Sequence, residues 1–549
     1  MEDAKEARAL QEPLLPTAAR DWRGRPAHGR LGGWKCASCI LGATGLCLLA
    51  FYGVLFNLVI FLVQTGETNA AAATTVATLS GTQYLCSFLG AFLSDAFMGR
   101  LWTSLVFQVL LTKSIILVGV SMMTASSATG LSRVFLSMSL YMMAITTGPV
   151  LPNILCLGVD QLDSKEDKEM YFQLMAVATA VGQLLAATVV TYVDSEGMWV
   201  WGFGLCAVAS LTSLILVAGG LRWFRRYRAT GNPFLRNSQV LVAALRKHRL
   251  AVPTDSTLLH EYKGDISAIP GCRKLPHTPT LSFLDKAAVL EVANTSSQWR
   301  LCTVTQVEEL KSLLRVIPAT FAMLFTTLAV TQVSTLFEEQ AVLMNRNFGS
   351  SFAVPPASLN VLAIISGIIT GLVTAAGGGA RLSRWCLGRI EQTPSRRASS
   401  LFLLGISLMC SISSMVISAL VEMCRLNVAH NGIIISVLWL VPQTILLGVA
   451  TNLATSSSLD FCYSEISESM RSVGGSIVLI SCGAGSYLNS ILVAVVTTIT
   501  SCGGRAGWIA NNLDEGHADY FYWCLACCLA FGLGVHIAYA RAYKYTGRK

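Results

Sequence analysis

Long apolar segments alternate with shorter polar segments along almost the whole chain. Each apolar segment extends over roughly 20 residues or more, which is the length that a helix needs to cross the hydrocarbon core of a bilayer. Their interiors contain very few charged residues, as an apolar surrounding requires. Twelve such segments are predicted, at residues 36–64, 72–96, 103–124, 132–158, 171–193, 198–222, 313–341, 355–377, 398–421, 433–458, 473–499 and 519–544. The pattern predicts an all-α membrane protein with twelve transmembrane helices.

The spacing of these segments divides the chain into two halves. Six predicted helices occupy residues 36–222 and six more occupy residues 313–544, with a polar loop at residues 223–312 between them. Two six-helix bundles joined in this way are typical of carriers that bind substrate between the bundles, near the middle of the membrane. Residues 1–35 are predicted to be a disordered tail because they are polar and rich in Pro and Arg, and residues 545–549 are predicted to be a short second tail.

The distribution of charge predicts the orientation in the membrane. The chain is 53% hydrophobic and 13% charged, against about 25% charged residues in an average soluble domain. Its net charge of +9 comes from Lys and Arg in loops and tails, so both termini and the central loop are predicted to be cytosolic. Because membrane orientation explains this excess, no nucleic-acid partner is predicted. We expect an integral, multi-pass monomer or weak dimer that contacts the lipid bilayer and a small-molecule substrate, in the plasma membrane rather than the vacuolar or another endomembrane.

The sequence contains no signal for an enzyme, a metal site or a cofactor. Most of the 17 cysteines lie in apolar segments, where cysteine behaves as a small hydrophobic residue. The pairs Cys36/Cys39 and Cys524/Cys527 lack the second pair, or the histidines, that a zinc site needs. The HExxH, GxSxG and Walker A motifs do not occur. We therefore predict that the protein is not an enzyme and has no metal or cofactor.

A short motif follows the second predicted helix. In Gly90-Ala-Phe-Leu-Ser-Asp95-Ala-Phe-Met-Gly99-Arg100, an aspartate and a glycine-arginine pair stand at a helix end, and glycines allow helices to approach closely. The motif resembles the loop motif of the major facilitator superfamily. This resemblance implies the major facilitator fold, and it implies that Asp95 and Arg100 form a gating motif that stabilises one closed state of a carrier.

Longer stretches resemble one branch of that superfamily, the plant nitrate/peptide transporter family, which belongs with the proton-dependent oligopeptide transporters. The stretches lie at residues 50–53, 152–163, 299–311 and 507–521, in the order that the family has them. Residues 49–62 and 194–199 are similar to the subgroup of low-affinity carriers that move nitrate between the xylem and surrounding cells. The resemblance implies a membrane transporter that works by alternating access.

Five positions depart from that family's pattern in a way that bears on mechanism. The family's first helix usually carries two glutamates and an arginine, its fourth a lysine before a proline, and its tenth a glutamate. The matching residues here are Thr44, Cys47, Leu48, Leu151 and Thr451. None of them can bind and release a proton near neutral pH as a buried carboxylate can. The resemblance therefore does not imply that this chain couples transport to protons as the family usually does, and a facilitator or exchanger is predicted.

Polar residues within the predicted helices form the candidate substrate site. Hydroxyl and amide groups can coordinate a dehydrated anion, and they also suit a neutral solute. The candidates are Tyr52, Asn57, Asn153, Thr331, Gln332, Ser334, Glu339, Gln443 and Asn452. Hydrogen bonding between helices is the alternative role for each of them, and a carboxylate at Glu339 could still carry a proton.

Together these features predict a transporter of small solutes, with nitrate or a related small anion as the leading substrate by resemblance. Peptides and hormone-like organic acids are alternative substrates. The loss of coupling residues also fits a different class, a sensor or scaffold that descends from a carrier and no longer transports. The complete Asp95/Arg100 motif favours a working carrier.

Overall fold

Twelve long helices account for most of this computed structural model. The described residues are 21, 25, 31–125, 130–226, 233–253, 255, 258–262, 274–290, 299–348, 352–387, 396–429, 431–466, 471–502 and 507–546, so most of both predicted tails lies outside them. The helices that are long and apolar enough to cross a membrane are named spans 1 to 12 in chain order: Trp34–Gln64, Asn69–Met98, Arg100–Met123, Leu131–Val159, Glu166–Ser195, Trp199–Gly220, Val304–Val342, Pro356–Ala375, Arg397–Ala429, Val437–Glu465, Val473–Thr500 and Ala518–Tyr543. Their number and type confirm the predicted all-α membrane fold.

The spans form two bundles of six. In the first bundle, span 1 contacts spans 4, 5 and 6, and span 3 contacts spans 4 and 6. Span 1 is apolar on all sides, which is typical of a helix enclosed by others. In its most apolar stretch of 18 residues, 78% of the residues are buried. In the second bundle, span 10 contacts spans 7, 8 and 9, and span 12 contacts spans 7 and 9. The most extensive contact between the bundles is that of span 2 with span 11.

Shorter elements occur within and between the spans. They are π-helical turns at Ser94–Met98 and Ala186–Val190, an α-helix at Pro233–Arg246, 3-10 turns at Ser282–Ala288, Thr331–Ser334, Pro356–Ser358 and Val437–Leu440, an α-helix at Gly378–Leu387, and an antiparallel pair of two-residue strands, Asn347–Phe348 and Phe352–Ala353. The inner side of the protein is defined as the side predicted to face the cytosol, and the outer side is opposite to it.

Span 7 is interrupted near its outer end. An α-helix at Val304–Val330 is followed by the 3-10 turn and then by a short helix at Leu336–Val342. Thr335, between the last two, has φ −134° and ψ −101°, values outside the helical region. The short helix, named the outer segment of span 7, is therefore separated from the rest of the span by a break in the helical geometry. It contacts spans 1 and 2 of the first bundle.

The described part of the central loop packs on the inner end of span 7. The helix at Pro233–Arg246 and the turn at Ser282–Ala288 share a small apolar core with the first turns of the span. Lys311 of span 7 is fully buried, and its ammonium lies 2.7 Å from a carboxylate oxygen of Asp285 and 2.8 Å from one of Glu308. A buried charge is stable only with such partners, so these parts of the loop and the span form one unit.

Two glycines set the closest approach between spans 2 and 4. A Cβ atom at Gly148 would lie 2.3 Å from the backbone oxygen of Gln83, and one at Gly90 would lie 2.3 Å from Cα of Pro149. Both distances are far below van der Waals contact, and the opposing atoms belong to backbone that cannot move aside. Any larger residue at these positions would force the two helices apart.

We predict that Gly148→Val destabilises the first bundle by more than about 3 kcal/mol, the upper end of typical overpacking costs, because the new side chain meets backbone. The purified variant should show a lower thermal unfolding midpoint or a strongly reduced folded yield. Gly119→Val is the matched control, since a Cβ at Gly119 of span 3 meets nothing within 4 Å. Equal stability of the two variants would contradict the proposed close approach.

Candidate functional site

Polar side chains from both bundles meet halfway along the spans. The hydroxyl of Tyr52 in span 1 lies beside the hydroxyl of Tyr84 in span 2 and the amide of Gln183 in span 5. Cys482 in span 11 lies near both tyrosines, and its thiol neighbours the hydroxyl of Thr327 in span 7. These five residues are named the mid-depth cluster. Their hydroxyl and amide groups can donate hydrogen bonds into the space between the bundles without contributing a charge.

A hydrogen bond between the bundles fixes the register of the cluster. The hydroxyls of Thr82 in span 2 and Tyr487 in span 11 are 2.7 Å apart. Gly81 makes this contact possible, because a Cβ atom there would lie 2.7 Å from the ring of Tyr487. Tyr84 is two residues from Thr82 on the same helix, so this pairing fixes its height along span 11, although the two side chains point to different faces of span 2.

Apolar residues of the two bundles pack together on the outer side of the mid-depth cluster. They form a surface of contact between the bundles, named the outer seam, which consists of Phe56 in span 1, Ala186 and Ala187 in span 5, and Val361 and Ile364 in span 8. Phe56 stands one helical turn outward from Tyr52, and the Tyr52 ring packs on the same residues. The seam therefore lies between the two bundles, one helical turn outward from Tyr52.

Two predicted site residues of span 7 bond to other helices of the second bundle. The Gln332 amide donates to Asn489 at 2.7 Å, and the Ser334 hydroxyl donates to Asn360 at 2.9 Å. Asn360 in turn donates to the carboxylate of Glu338 at 2.8 Å. These bonds tie the break in span 7 to spans 8 and 11. Gln332 and Ser334 thus make hydrogen bonds between helices, and substrate contact by either residue stays a prediction.

Glu339 is the most unusual of the predicted site residues. It is 6% exposed, and neither of its carboxylate oxygens has a hydrogen-bond partner among the described residues. Tyr522 of span 12 lies close enough to the Glu339 carboxyl group to interact with it electrostatically. An ionised carboxylate without a partner is costly in such a place. Glu339 is therefore the predicted site residue through which a proton could still influence transport.

The remaining predicted residues bond within their own helices or stand alone. The amides of Asn57 and Asn153 donate to the carbonyl four residues earlier, at 3.0 and 2.8 Å, and the hydroxyl of Thr331 does the same at 2.8 Å. The amide group of Gln443 is buried without a partner among the described residues, and the half-buried Asn452 lies beside a glycine of span 8. Of the predicted set, only Tyr52 belongs to the mid-depth cluster. Substrate contact stays a prediction for Tyr52 and for all the others.

The five positions that depart from the family pattern are occupied by groups without charge. The hydroxyls of Thr44 and Thr451 donate to the carbonyl four residues earlier, at 2.9 and 2.7 Å. Cys47 is fully buried beside a glutamine of span 3, inside the first bundle. Leu48 is buried, and Leu151 packs on the apolar core of that bundle. The geometry provides no group at these positions that could replace a titrating carboxylate or a cation.

Arg100 of the predicted gating motif forms an ion pair on the inner side. Its guanidinium lies 2.7 Å from the carboxylate of Asp160 at the end of span 4. Both residues belong to the first bundle, so the pair joins spans 3 and 4. The side chain of Asp95 lies outside the described part of the chain, and its gating role stays a prediction.

Sequence reasoning missed a second group of charges, at the outer end of span 9. Glu422 and Arg425 are buried and form a two-point ion pair. The predicted helix ended at residue 421, whereas the span continues to Ala429. Their opposite charges three residues apart are a signal that could have found them, because residues at this spacing share one face of a helix.

One cluster of the loop has the ligand types of a metal site. Ligand atoms of His277, Asp285 and Glu308 lie within 4.8 Å of one another. The ammonium of Lys311 contacts both carboxylates, and the backbone and hydroxyl of Thr278 donate to Glu308 at 2.9 and 2.6 Å. Because protein groups already neutralise these carboxylates, the cluster fits an internal ion pair better than a cation.

The comparisons with known proteins agree with this architecture. The model of the POT family, PTR2, matches residues 107–509. The chain belongs to the POT family. Two Arabidopsis thaliana proteins, NRT1/PTR FAMILY 8.3 and 7.3, are 33% and 32% identical over 98% and 95% of this chain and 97% and 91% of their own lengths. Such even identities do not single out a subgroup.

The fold is also shared with solved transporters. The crystal structure of an auto-inhibited POT family peptide transporter aligns with 92% of this chain and 97% of its own, with a TM-score of 0.67 at 16% identity. With twelve spans and this membership, the chain is a multi-pass membrane transporter of the plant-type branch of the POT family. Its substrate and coupling are not fixed by the family.

We predict that Asp160→Asn lowers the stability of the first bundle by about 1 kcal/mol, because Arg100 loses a partner that is largely shielded from water. Transport per folded molecule should change little, since the pair lies within one bundle. Asp163→Asn is the matched control: this carboxylate also pairs with an arginine but is 76% exposed, so its loss should matter less. A large loss of turnover at unchanged thermal stability in Asp160→Asn would contradict the structural role and indicate gating.

Proposed function

We propose that this member of the POT family carries a small monovalent anion, with nitrate as the leading candidate, by alternating access of its two bundles. The observation that carries the proposal is the mid-depth cluster, whose hydroxyl and amide donors come from both bundles. Donors of this kind can replace part of the hydration shell of an anion. Their position between the bundles is where carriers of this architecture bind substrate.

The absence of charge at the five departing positions supports an anion over a peptide. A zwitterionic peptide brings an ammonium group as well as a carboxylate, and the ammonium needs a negative counter-charge when it leaves water. The positions that would supply counter-charges hold Thr44, Cys47, Leu48, Leu151 and Thr451. A monovalent anion requires only donors, which Tyr52, Tyr84 and Gln183 can supply.

The same neutrality supports transport that follows the substrate gradient. A carrier driven by protons needs a group that is protonated on one side and deprotonated on the other. In the mid-depth cluster no side chain has this property near neutral pH. Glu339 lies in the outer segment of span 7, and no hydrogen bond joins it to the cluster among the described residues. We therefore propose a facilitator or an exchanger.

We predict that Tyr84→Phe raises the KM for nitrate by about two- to tenfold, the loss expected for one hydrogen bond to substrate. Uptake of labelled nitrate into proteoliposomes measures this. Tyr141→Phe is the matched control, because the Tyr141 hydroxyl bonds Thr78 on an exposed face of the first bundle. Equal KM values in both variants would show that the mid-depth cluster is not part of the substrate site. The absence of nitrate uptake by the parent protein would refute the proposed substrate.

We further predict that a pH gradient alone does not concentrate nitrate in proteoliposomes, whereas an imposed nitrate gradient drives flux in either direction. A dipeptide offered in the same assay should not be taken up. Concentrative uptake that a protonophore abolishes would overturn gradient-driven transport. Its additional loss in Glu339→Gln, with flux down a nitrate gradient retained, would identify the carboxylate that couples the proton.

A further inference from the structure

The outer end of the second bundle contains a buried ionic network that is separate from the mid-depth cluster. The guanidinium of Arg425 lies 2.7 and 2.8 Å from the two carboxylate oxygens of Glu422, and both side chains are at most 3% exposed. The same guanidinium pairs with Asp514, in the segment before span 12, and donates to the carbonyl of Leu513 at 3.2 Å. Two-point pairing of an arginine with a carboxylate fixes geometry as well as charge.

Gln340 connects this network to the outer segment of span 7. Its amide NH2 donates to a carboxylate oxygen of Glu422 at 2.7 Å, and its amide oxygen accepts from the hydroxyl of Tyr522 at 3.3 Å. Gln340 is 1% exposed. Both polar atoms of its side chain are therefore bonded inside the second bundle, to spans 9 and 12.

Two of the parts that the network holds touch the first bundle on the outer side. The outer segment contacts spans 1 and 2. The segment before span 12 does so as well, because the amide of Asn69 at the start of span 2 lies 3.3 Å from the carbonyl oxygens of Ala510 and Asn511. Asn69 is thus bonded to the segment that Arg425 anchors through Asp514.

We propose that this network positions the outer segment of span 7 as a latch that stabilises the closed outer side, with Gln340 as the residue that sets the latch. The break at Thr335 allows the segment to tilt, and the bonds of Gln340 to Glu422 and Tyr522 oppose that tilt. Gln340 acts through the segment and does not touch substrate, so it is a positioning residue. The latch does not depend on which solute is carried.

The sign of the effect depends on the groups that a substitution leaves without partners. In Gln340→Leu, the hydroxyl of Tyr522 and one carboxylate oxygen of Glu422 lose a partner while the outer side is closed. A buried polar group without a partner is costly. When the outer side opens, water can reach both groups and the penalty falls. The substitution should therefore shift the protein toward the state that is open on the outer side.

The test measures access to the outer seam from outside. Val361→Cys places a thiol in the seam, and a membrane-impermeant maleimide is added to sealed proteoliposomes of known orientation. The peptide that carries position 361 is quantified by mass spectrometry, because the native Cys424 and Cys502 are exposed. In the Gln340→Leu background the labelling rate should rise at least about tenfold, as expected from one lost hydrogen bond to a charged group.

Gln108→Leu is the matched control, since Gln108 is as buried as Gln340 and bonds Ser213 within the first bundle, far from the latch. It should leave the labelling of the thiol introduced at position 361 near the parent rate. Asp514→Asn should give a smaller rise than Gln340→Leu, because Asp514 is 44% exposed and water can replace part of its pairing.

Thermal unfolding of every variant is measured in parallel. Faster labelling of the introduced thiol at an unfolding midpoint close to that of Gln108→Leu supports the latch. Unchanged or slower labelling of the introduced thiol in Gln340→Leu overturns the latch. A faster labelling rate that is fully explained by a smaller fraction of folded protein also overturns it. Because labelling requires no substrate, a failure here would leave the proposed anion transport standing, and a failure of nitrate uptake would leave the latch standing.

Discussion

The cost of placing a charge inside a membrane governs this structure. A charged side chain there is stabilised by pairing within the protein, and Glu339, whose carboxylate oxygens have no hydrogen-bond partner among the described residues, is an exception. The chain uses pairing at the two ends of the second bundle, in Arg425 with Glu422 and in Lys311 with Asp285 and Glu308. It uses neutral groups in the middle, where the bundles face each other. The arrangement separates strong interactions from the surface along which the bundles would move in the proposed alternating access.

That separation has a mechanical consequence. Hydrogen bonds between the bundles include those of Thr82 with Tyr487 and of Ser490 with a carbonyl of span 2, and both are neutral. A neutral hydrogen bond contributes only about 1 kcal/mol net, because water can take its place. The ion pairs of Arg100 and Arg425 lie within single bundles, and they help to keep each bundle rigid. Rocking of one rigid bundle against the other is therefore opposed mainly by weak bonds and by apolar contacts such as the outer seam.

The sequence predicted the helices well because their signal is physical and local. A run of apolar residues long enough to span a bilayer has few other uses, and all twelve predicted segments overlap the observed spans. The interruption of span 7 at Thr335 was not predicted. A stretch rich in Thr, Ser and Gln is compatible with a continuous helix in a bundle, so local sequence gives little sign of the break.

The candidate site was predicted less well, since it depends on which faces of different helices meet. Tyr52 was named as a candidate because it lies in a recognisable stretch of span 1, whereas the other members of the mid-depth cluster, Tyr84, Gln183, Thr327 and Cys482, carry no signal of their own. Arg100 pairs with Asp160, which is 60 residues away on another helix and was not predicted as a partner. The predicted role of Asp95 with Arg100 stays a prediction, because the Asp95 side chain lies outside the described part of the chain. Pairing between helices cannot be read from spacing along one helix.

The missing charges also limit what the mid-depth cluster can bind. A solute that leaves water loses its hydration, and the site must replace it. Hydrogen bonds from neutral donors to a charged group are worth roughly 1.5–3 kcal/mol each, and the cluster offers only a few such donors. These donors can replace the hydration of a weakly hydrated monovalent anion. A dianion or a zwitterion would lose more hydration free energy than the donors can replace. Selectivity in this member of the family would then arise from what the site lacks, since each absent carboxylate or cation excludes the solutes that need it as a counter-charge.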